Sequence, residues 1–147
     1  MPDAAPATPS SLQPVIAIDP GKDKCGLAVL NPDGGVLQQQ IIATLEAPEC
    51  VASLVERHRA DTILIGDSTT SRAMGQKLKG LLPSINLHYV SEKNSTLEAR
   101  ELYWRDHRPR GWRRVLPQSL QVPPVPVDDY AAIVLARRYL EALKNDF

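Results

Sequence analysis

Apolar residues fall along the chain in two rhythms, short continuous runs and longer stretches in which they recur every third or fourth position. Val15 to Ile18, Gly26 to Asn31, Val36 to Ala43, Thr62 to Ile65 and Leu87 to Val90 are the runs, and turn-forming residues flank them, so each predicts a strand. Asn31-Pro32-Asp33-Gly34-Gly35 is a tight-turn signal, which makes the first three strands an antiparallel meander. Glu49 to Arg59 sets Val51, Leu54, Val55 and His58 at helical spacing behind Pro48, a residue tolerated in a first turn. Thr70 to Leu82 is helical through Met74, Leu78, Leu81 and Leu82 and is stopped by Pro83. Ser95 and Glu98 have the spacing of a capping box and predict a helix from Ser95 to about Arg105. A last helix begins near Val127 and turns Ala131, Ala132, Leu135, Tyr139 and Leu143 inward.

Two stretches break the rhythm, and both are rich in proline, of which the chain has 13. Residues 1–14 predict a disordered leader of Pro, Ala, Ser and Thr, and residues 15–147 a single domain. Within that domain, residues 108–126 predict a long Arg/Trp/Pro-rich loop, a candidate substrate-binding flap. A meander followed by alternating helix and strand predicts an α/β domain with a mixed five-stranded sheet flanked by helices, the element order of the RNase H-like architecture.

Composition narrows the class. At 147 residues, with 43% hydrophobic and 23% charged residues, the chain has the profile of one globular domain. It contains no apolar stretch near the roughly 18 residues needed to span a bilayer and no basic-then-apolar signal pattern, so the expected location is the cytoplasm, with no membrane partner. Cys25 and Cys50 have no Cys or His neighbour at metal-ligand spacing and read as small buried hydrophobes. Lys plus Arg equals Asp plus Glu at 17 each, so any attraction to nucleic acid has to be local.

Candidate chemistry gathers at the strand ends. In an α/β sheet, functional groups collect where the parallel strands finish. Asp19 ends the first strand, Asp67 follows the fourth after Gly66, Glu92 follows the fifth, and Asp128 opens the last helix. Several carboxylates there would bind Mg²⁺ or Mn²⁺, and such ions activate a water for phosphodiester hydrolysis. Structural readings stand beside this one. Asp67 would also serve as a turn or cap residue, Glu92 as a solvated loop acid, and Asp128 or Asp129 as a complement to the helix dipole. Asp19 is the hardest to explain structurally, because it interrupts an apolar strand.

Three segments resemble the YqgF/RuvX family of RNase H-like nucleases, associated with Holliday junction resolution and precursor rRNA processing. Ile16-Ala17-Ile18-Asp19-Pro20-Gly21 with Cys25-Gly26-Leu27-Ala28-Val29 is similar to its first hairpin. Ser91-Glu92-Lys93-Asn94-Ser95-Thr96-Leu97-Glu98-Ala99-Arg100 is similar to its D-E-R-x-S-T-x-E-A-R segment, and Val127-Asp128-Asp129-Tyr130-Ala131-Ala132 to the opening of its final helix. The resemblance implies an acidic triad of Asp19, Glu92 and Asp128 as catalytic residues and metal ligands. The chain departs from the family at Gly66-Asp67-Ser68, where a G-L-P turn is usual. RuvC-type resolvases carry an acid at the end of that strand, which makes Asp67 a candidate fourth ligand. Ser91 and Lys93 also replace the usual Asp and Arg, and the loop before the last helix is longer and richer in Pro.

The expected nucleic-acid surface is Trp104 to Arg114, where Arg105, Arg108, Arg110, Arg113 and Arg114 oppose only Asp106 and alternate with Trp104 and Trp112. Guanidinium groups fork onto phosphates and indoles stack on unpaired bases. Trp104 has the alternative of packing into the core. Lys22 and Lys24 beside Asp19 are further candidates for phosphate contact, with solvated turn lysines as the other reading. His58, His88 and His107 share no spacing and receive no catalytic role. The expected activity is metal-dependent hydrolysis of phosphodiester bonds in junction DNA or structured RNA, and a two-fold junction would call for a homodimer. The alternative is a catalytically inactive nucleic-acid-binding or ribosome-assembly module. An actin-like ATPase shares the Asp-x-Gly opening, but its paired domains need a longer chain.

Overall fold

The computed structural model describes residues 13–107 and 126–145, and in it the five apolar runs form one mixed sheet in the order β3-β2-β1-β4-β5. β1 (Val15–Asp19), β2 (Lys24–Leu30) and β3 (Val36–Ala43) make the antiparallel meander, and β4 (Thr62–Gly66) and β5 (Asn86–Val90) add parallel to β1. Val15 through Ile18 and Thr62 through Gly66 are buried without a break, because both faces of the central strands are covered. Val15, Ala17, Ala28 and Leu64 belong to one core, and Ile16, Ile18, Ile63 and Ile65 to the other, the period-two alternation of a pleated strand.

After a 3₁₀ turn at Thr44–Glu46, α1 (Ala47–His58) joins α2 (Ser71–Leu81) over the Ile16 and Ile18 face. Pro48 lies in the first turn of α1, and Arg59 closes it in the left-handed conformation. The opposite face carries α3 (Ser95–Asp106) and α4 (Asp128–Asn145). Every expected element is present, with ends moved by one or two residues. Cys25 is buried as expected, whereas Cys50 is half-buried and accepts a hydrogen bond from Gln40 Nε2 at 3.0 Å.

Two further local expectations change. The buried face of α4 is wider than its spacing indicates: Tyr130 through Ala136 and Leu140 are all buried, while Tyr139 and Leu143 are half-buried. The helix is wedged between the sheet and α3, so little of its first half meets water. The capping box of Ser95 and Glu98 does not form. Asn94, in the left-handed region at φ 61°, takes the N-cap position with no side-chain cap bond, and the Glu98 carboxylate pairs with Arg138.

Trp104 takes the core alternative at 4% exposure, edge-on to Tyr103. The ends of α3 and α4 are tied together by Tyr130, whose hydroxyl donates to Asp106 Oδ2 at 3.0 Å and whose ring meets Tyr103 edge-on. Burial, then the Asp106 carboxylate, pushes the Tyr130 phenol up to about 12, so it stays a donor across the physiological range. Tyr130→Phe removes that bond and keeps the ring, and is expected to cost about 1.5 kcal/mol in a thermal or denaturant melt. No described helix is long and apolar enough to cross a membrane. Residues 1–12 of the leader and 108–125 of the long loop, with Arg108, Arg110, Trp112, Arg113 and Arg114, lie outside the described residues.

Candidate active site

The site is built at the carboxyl end of β1, and two glycines make room for it. Asp19 pairs with Gly26 on β2, and the register Ile18 to Ile65 sets Gly66 of β4 beside it on the other side. Strand alternation places Asp19 on the α4 face with Val15 and Ala17. A Cβ on Gly26 would overlap the backbone carbonyl of Asp128, so the start of α4 rests directly on β2 there. A Cβ on Gly66 would come within 2.8 Å of Glu92 Cδ and 2.9 Å of Leu135 Cδ1, so Glu92 lies over β4. The sheet is bare on both flanks of Asp19, and Asp128 and Glu92 use the space.

The electrostatics follow from that crowding. Burial, then a hydrogen bond to Glu92 and the negative charges of Glu92 and Asp128, raises the Asp19 carboxyl from 3.8 to about 8. The two carboxyls are thus held together by a hydrogen bond, with Asp19 kept well above the usual carboxylate range. Glu92 Oε2 is nevertheless buried with no hydrogen-bond partner among the described residues. An unmet buried acceptor costs about 1–3 kcal/mol, and here it is an oxygen on an acid.

Asp128 is drawn the other way, with Oδ2 3.9 Å from Lys24 Nζ. Its neighbour Asp129 is held structurally, accepting from Gln39 Nε2 at 2.9 Å and from the Tyr130 backbone N–H at 3.0 Å. Asp19 and Asp128 line an open cleft of about 550 Å³ with Pro20, Gly21, Lys22 and Lys24. Thr44 braces this loop, its hydroxyl donating to Gly21 O at 2.9 Å and its N–H to Asp23 O at 2.9 Å.

Among the described residues no group of three or more His, Cys, Asp or Glu side chains is placed to hold a metal ion. The donor types still suit a hard divalent cation: Asp19 is hydrogen-bonded to Glu92 and feels the charge of Asp128, and one buried Glu92 oxygen lacks a donor.

Asp19, Glu92, Asp128, Lys22 and Lys24 are thus brought to one edge. Asp67 and Arg105 are not. Asp67 is exposed and absent from the cleft; strand alternation turns the residue after Gly66 to the other face, while its N–H bonds Val90 O at 2.8 Å. Arg105 is exposed on α3 and lines a separate groove with Glu101, Arg137 and Glu141. Sequence reasoning missed Gly26 and Gly66, although a glycine inside a strand pattern is a signal of close approach.

No protein-family model matches the chain, and no curated protein matches it by sequence. Solved structures do. The chain is similar to RuvC from Thermus thermophilus with a TM-score of 0.55 at 14% identity, over 88% of this chain and 94% of that one. It aligns at lower TM-scores with parts of larger proteins. A ROK family glucokinase from Streptomyces griseus gives 0.43 at 14% identity, over 59% of this chain and 36% of that one. Pelota from Archaeoglobus fulgidus gives 0.42 at 14% identity, over 94% and 39%. The chain spans nearly all of RuvC and under two fifths of those two proteins. Its mixed five-stranded sheet with helices on both faces shares the RNase H-like fold of RuvC.

Proposed function

We propose that this protein is a divalent-metal-dependent nuclease of the YqgF/RuvX type that hydrolyses phosphodiester bonds in junction-like DNA or precursor rRNA. The observation that carries the reading is the acidic edge itself: a partly buried Asp19 hydrogen-bonded to Glu92, whose Oε2 is buried and unpartnered among the described residues, with Asp128 beside them. Asp19, Glu92 and Asp128 would hold Mg²⁺ or Mn²⁺. Such an ion, when bound, polarises the phosphate and lowers the pKa of a bound water. Lys22 and Lys24 border the same cleft and would take phosphate oxygens, which would set a polyanion beside Asp19 and Asp128.

In this reading Arg108, Arg110, Trp112, Arg113 and Arg114 of the Arg/Trp segment would supply the strand contacts, whereas Arg105, which lines the separate groove, would not. Its described flanks support this, because the chain leaves α3 at Asp106, is tied there to Tyr130, and re-enters at Pro126 just before Asp128. The protein would act in the cytoplasm, and a junction with two-fold symmetry would engage two copies. The test is a cleavage panel of four-way junction DNA, single strands and structured RNA with Mn²⁺, run beside Asp19→Asn. Metal-dependent cleavage lost in the variant supports the nuclease. Equal cleavage by both proteins eliminates this chemistry.

A second reading, a nucleic-acid-binding or ribosome-assembly module without catalysis, draws on the exposed Asp67 and on the lack of a metal-holding group among the described residues. Nucleic-acid binding that survives EDTA, with no heat on Mn²⁺ titration, would select it.

A further inference from the structure

Glu92 has no strand or helix of its own; it sits in the turn Ser91 to Asn94 between β5 and α3. Such a turn is mobile unless its backbone groups are taken. All four carbonyls of this one are taken. Glu92 O accepts from Ser95 N at 2.9 Å, and Asn94 O from Glu98 N at 3.2 Å. Ser91 O and Lys93 O, on either side of Glu92, accept from one guanidinium: Arg138 Nη1 donates to Ser91 O at 2.8 Å and Nη2 to Lys93 O at 2.6 Å. Arg138 Nη2 also donates to Glu98 Oε2, so a carboxylate on α3 fixes the plane of the fork. The Arg138 side chain is 25% exposed and that of Glu98 48%, so the ion pair itself adds little and the hold on the turn comes from the two carbonyl contacts.

Resting on the reading of Glu92 as a metal-site acid, we propose that Arg138, oriented by Glu98, is the positioning residue that clamps the Glu92 turn over Gly66. The fork is suited to this. Two nitrogens in one rigid plane reach two carbonyls while a third contact is met by a carboxylate, a spread that lysine's three donors on a single nitrogen do not match. Arg138 lies on α4, the helix that opens with Asp128 and lays Leu135 against Gly66. One rigid element therefore sets the position of two of the three acids. Residues that orient metal ligands typically carry a 10- to 100-fold effect on metal affinity.

The test compares Arg138→Lys, which keeps the charge and most of the stem, with Glu98→Gln, which leaves the fork's carbonyl contacts possible. Hydrogen exchange of the metal-free full chain reads the clamp directly. Amides 91–95 are expected to exchange at least about tenfold faster in Arg138→Lys, less so in Glu98→Gln, with β1, β4 and the rest of α3 unchanged. Calorimetry with Mn²⁺ alone is expected to show a dissociation constant raised about tenfold in Arg138→Lys. Wild-type exchange at 91–95 in Arg138→Lys, or acceleration spread evenly over the whole chain, overturns the clamp. So does a faster turn with unaltered Mn²⁺ affinity. Wild-type protein that binds no Mn²⁺ overturns the nuclease reading instead, and the exchange arm still decides the clamp.

Discussion

Asp19→Asn is expected to do two opposite things: remove Mn²⁺-dependent cleavage and make the protein more stable in neutral or alkaline buffer without metal. Loss of activity follows from removing the acid at the centre of the edge, at least about 100-fold by analogy with removing one charge-stabilising group from an active site. The gain in stability follows from linkage. The Asp19 carboxyl lies at about 8 in the folded chain against 3.8 as an ordinary carboxyl, so between those values the folded state holds a proton that the unfolded state has released. The contribution of this group is fully favourable below about pH 4 and is lost as pH rises through about 8. Solvent reaching the partly exposed group limits the loss to about 2 kcal/mol. Asparagine stays neutral and can still donate to Glu92, so the variant should melt about 5 °C higher than wild type at pH 8, with a flatter dependence on pH. Mn²⁺ should reverse the order, because it binds the deprotonated wild-type site and stabilises it while leaving the variant unmoved. Parallel melting curves from pH 5 to 9, with and without Mn²⁺, would remove the physical basis for treating Asp19 as a poised ligand.

The elements and the acidic edge were legible because they are local events. An apolar run that stops on an acid before a Pro-Gly turn is visible without knowing what lies across the sheet, and Asp19 does sit there. Asp67 meets the same local rule, yet it is exposed and its N–H continues the ladder to Val90 O, so position at a strand end does not by itself fix which face an acid occupies. The capping box failed for a long-range reason: Glu98 is claimed by an arginine 40 residues away. Arg138 itself looks like any basic residue on a helix rim, and its partners are backbone carbonyls, which leave no mark in a sequence. The breadth of the α4 core was hidden similarly, since helical spacing shows one face and cannot foresee a second neighbour. Ala17, Ala28, Ala131, Ala132 and Ala136 share one buried cluster, and their small size lets α4 approach the sheet.

The closeness of that approach makes Gly26→Ala the most damaging of the conservative glycine changes. The obstacle is backbone: the new Cβ would overlap the Asp128 carbonyl and crowd Asp129 N, so the start of α4 has to lift as a unit. Overpacking of this kind costs about 3 kcal/mol, or roughly 10 °C in Tm, and carries Asp128 away from Asp19 at the same time. Gly66→Ala meets only the side chains of Glu92 and Leu135, which can yield, so it should melt nearer to wild type yet bind Mn²⁺ poorly because Glu92 is the group displaced. Gly80→Ala, with nothing within 4 Å on the exposed rim of α2, should instead raise stability by about 0.5–1 kcal/mol, since alanine restricts the unfolded chain and favours helix. The three variants add the same methyl group, so their order in a melting experiment reports geometry alone. A Gly26→Ala protein melting beside wild type would mean that α4 does not rest on β2 there, and Asp128 would lose its place at the edge.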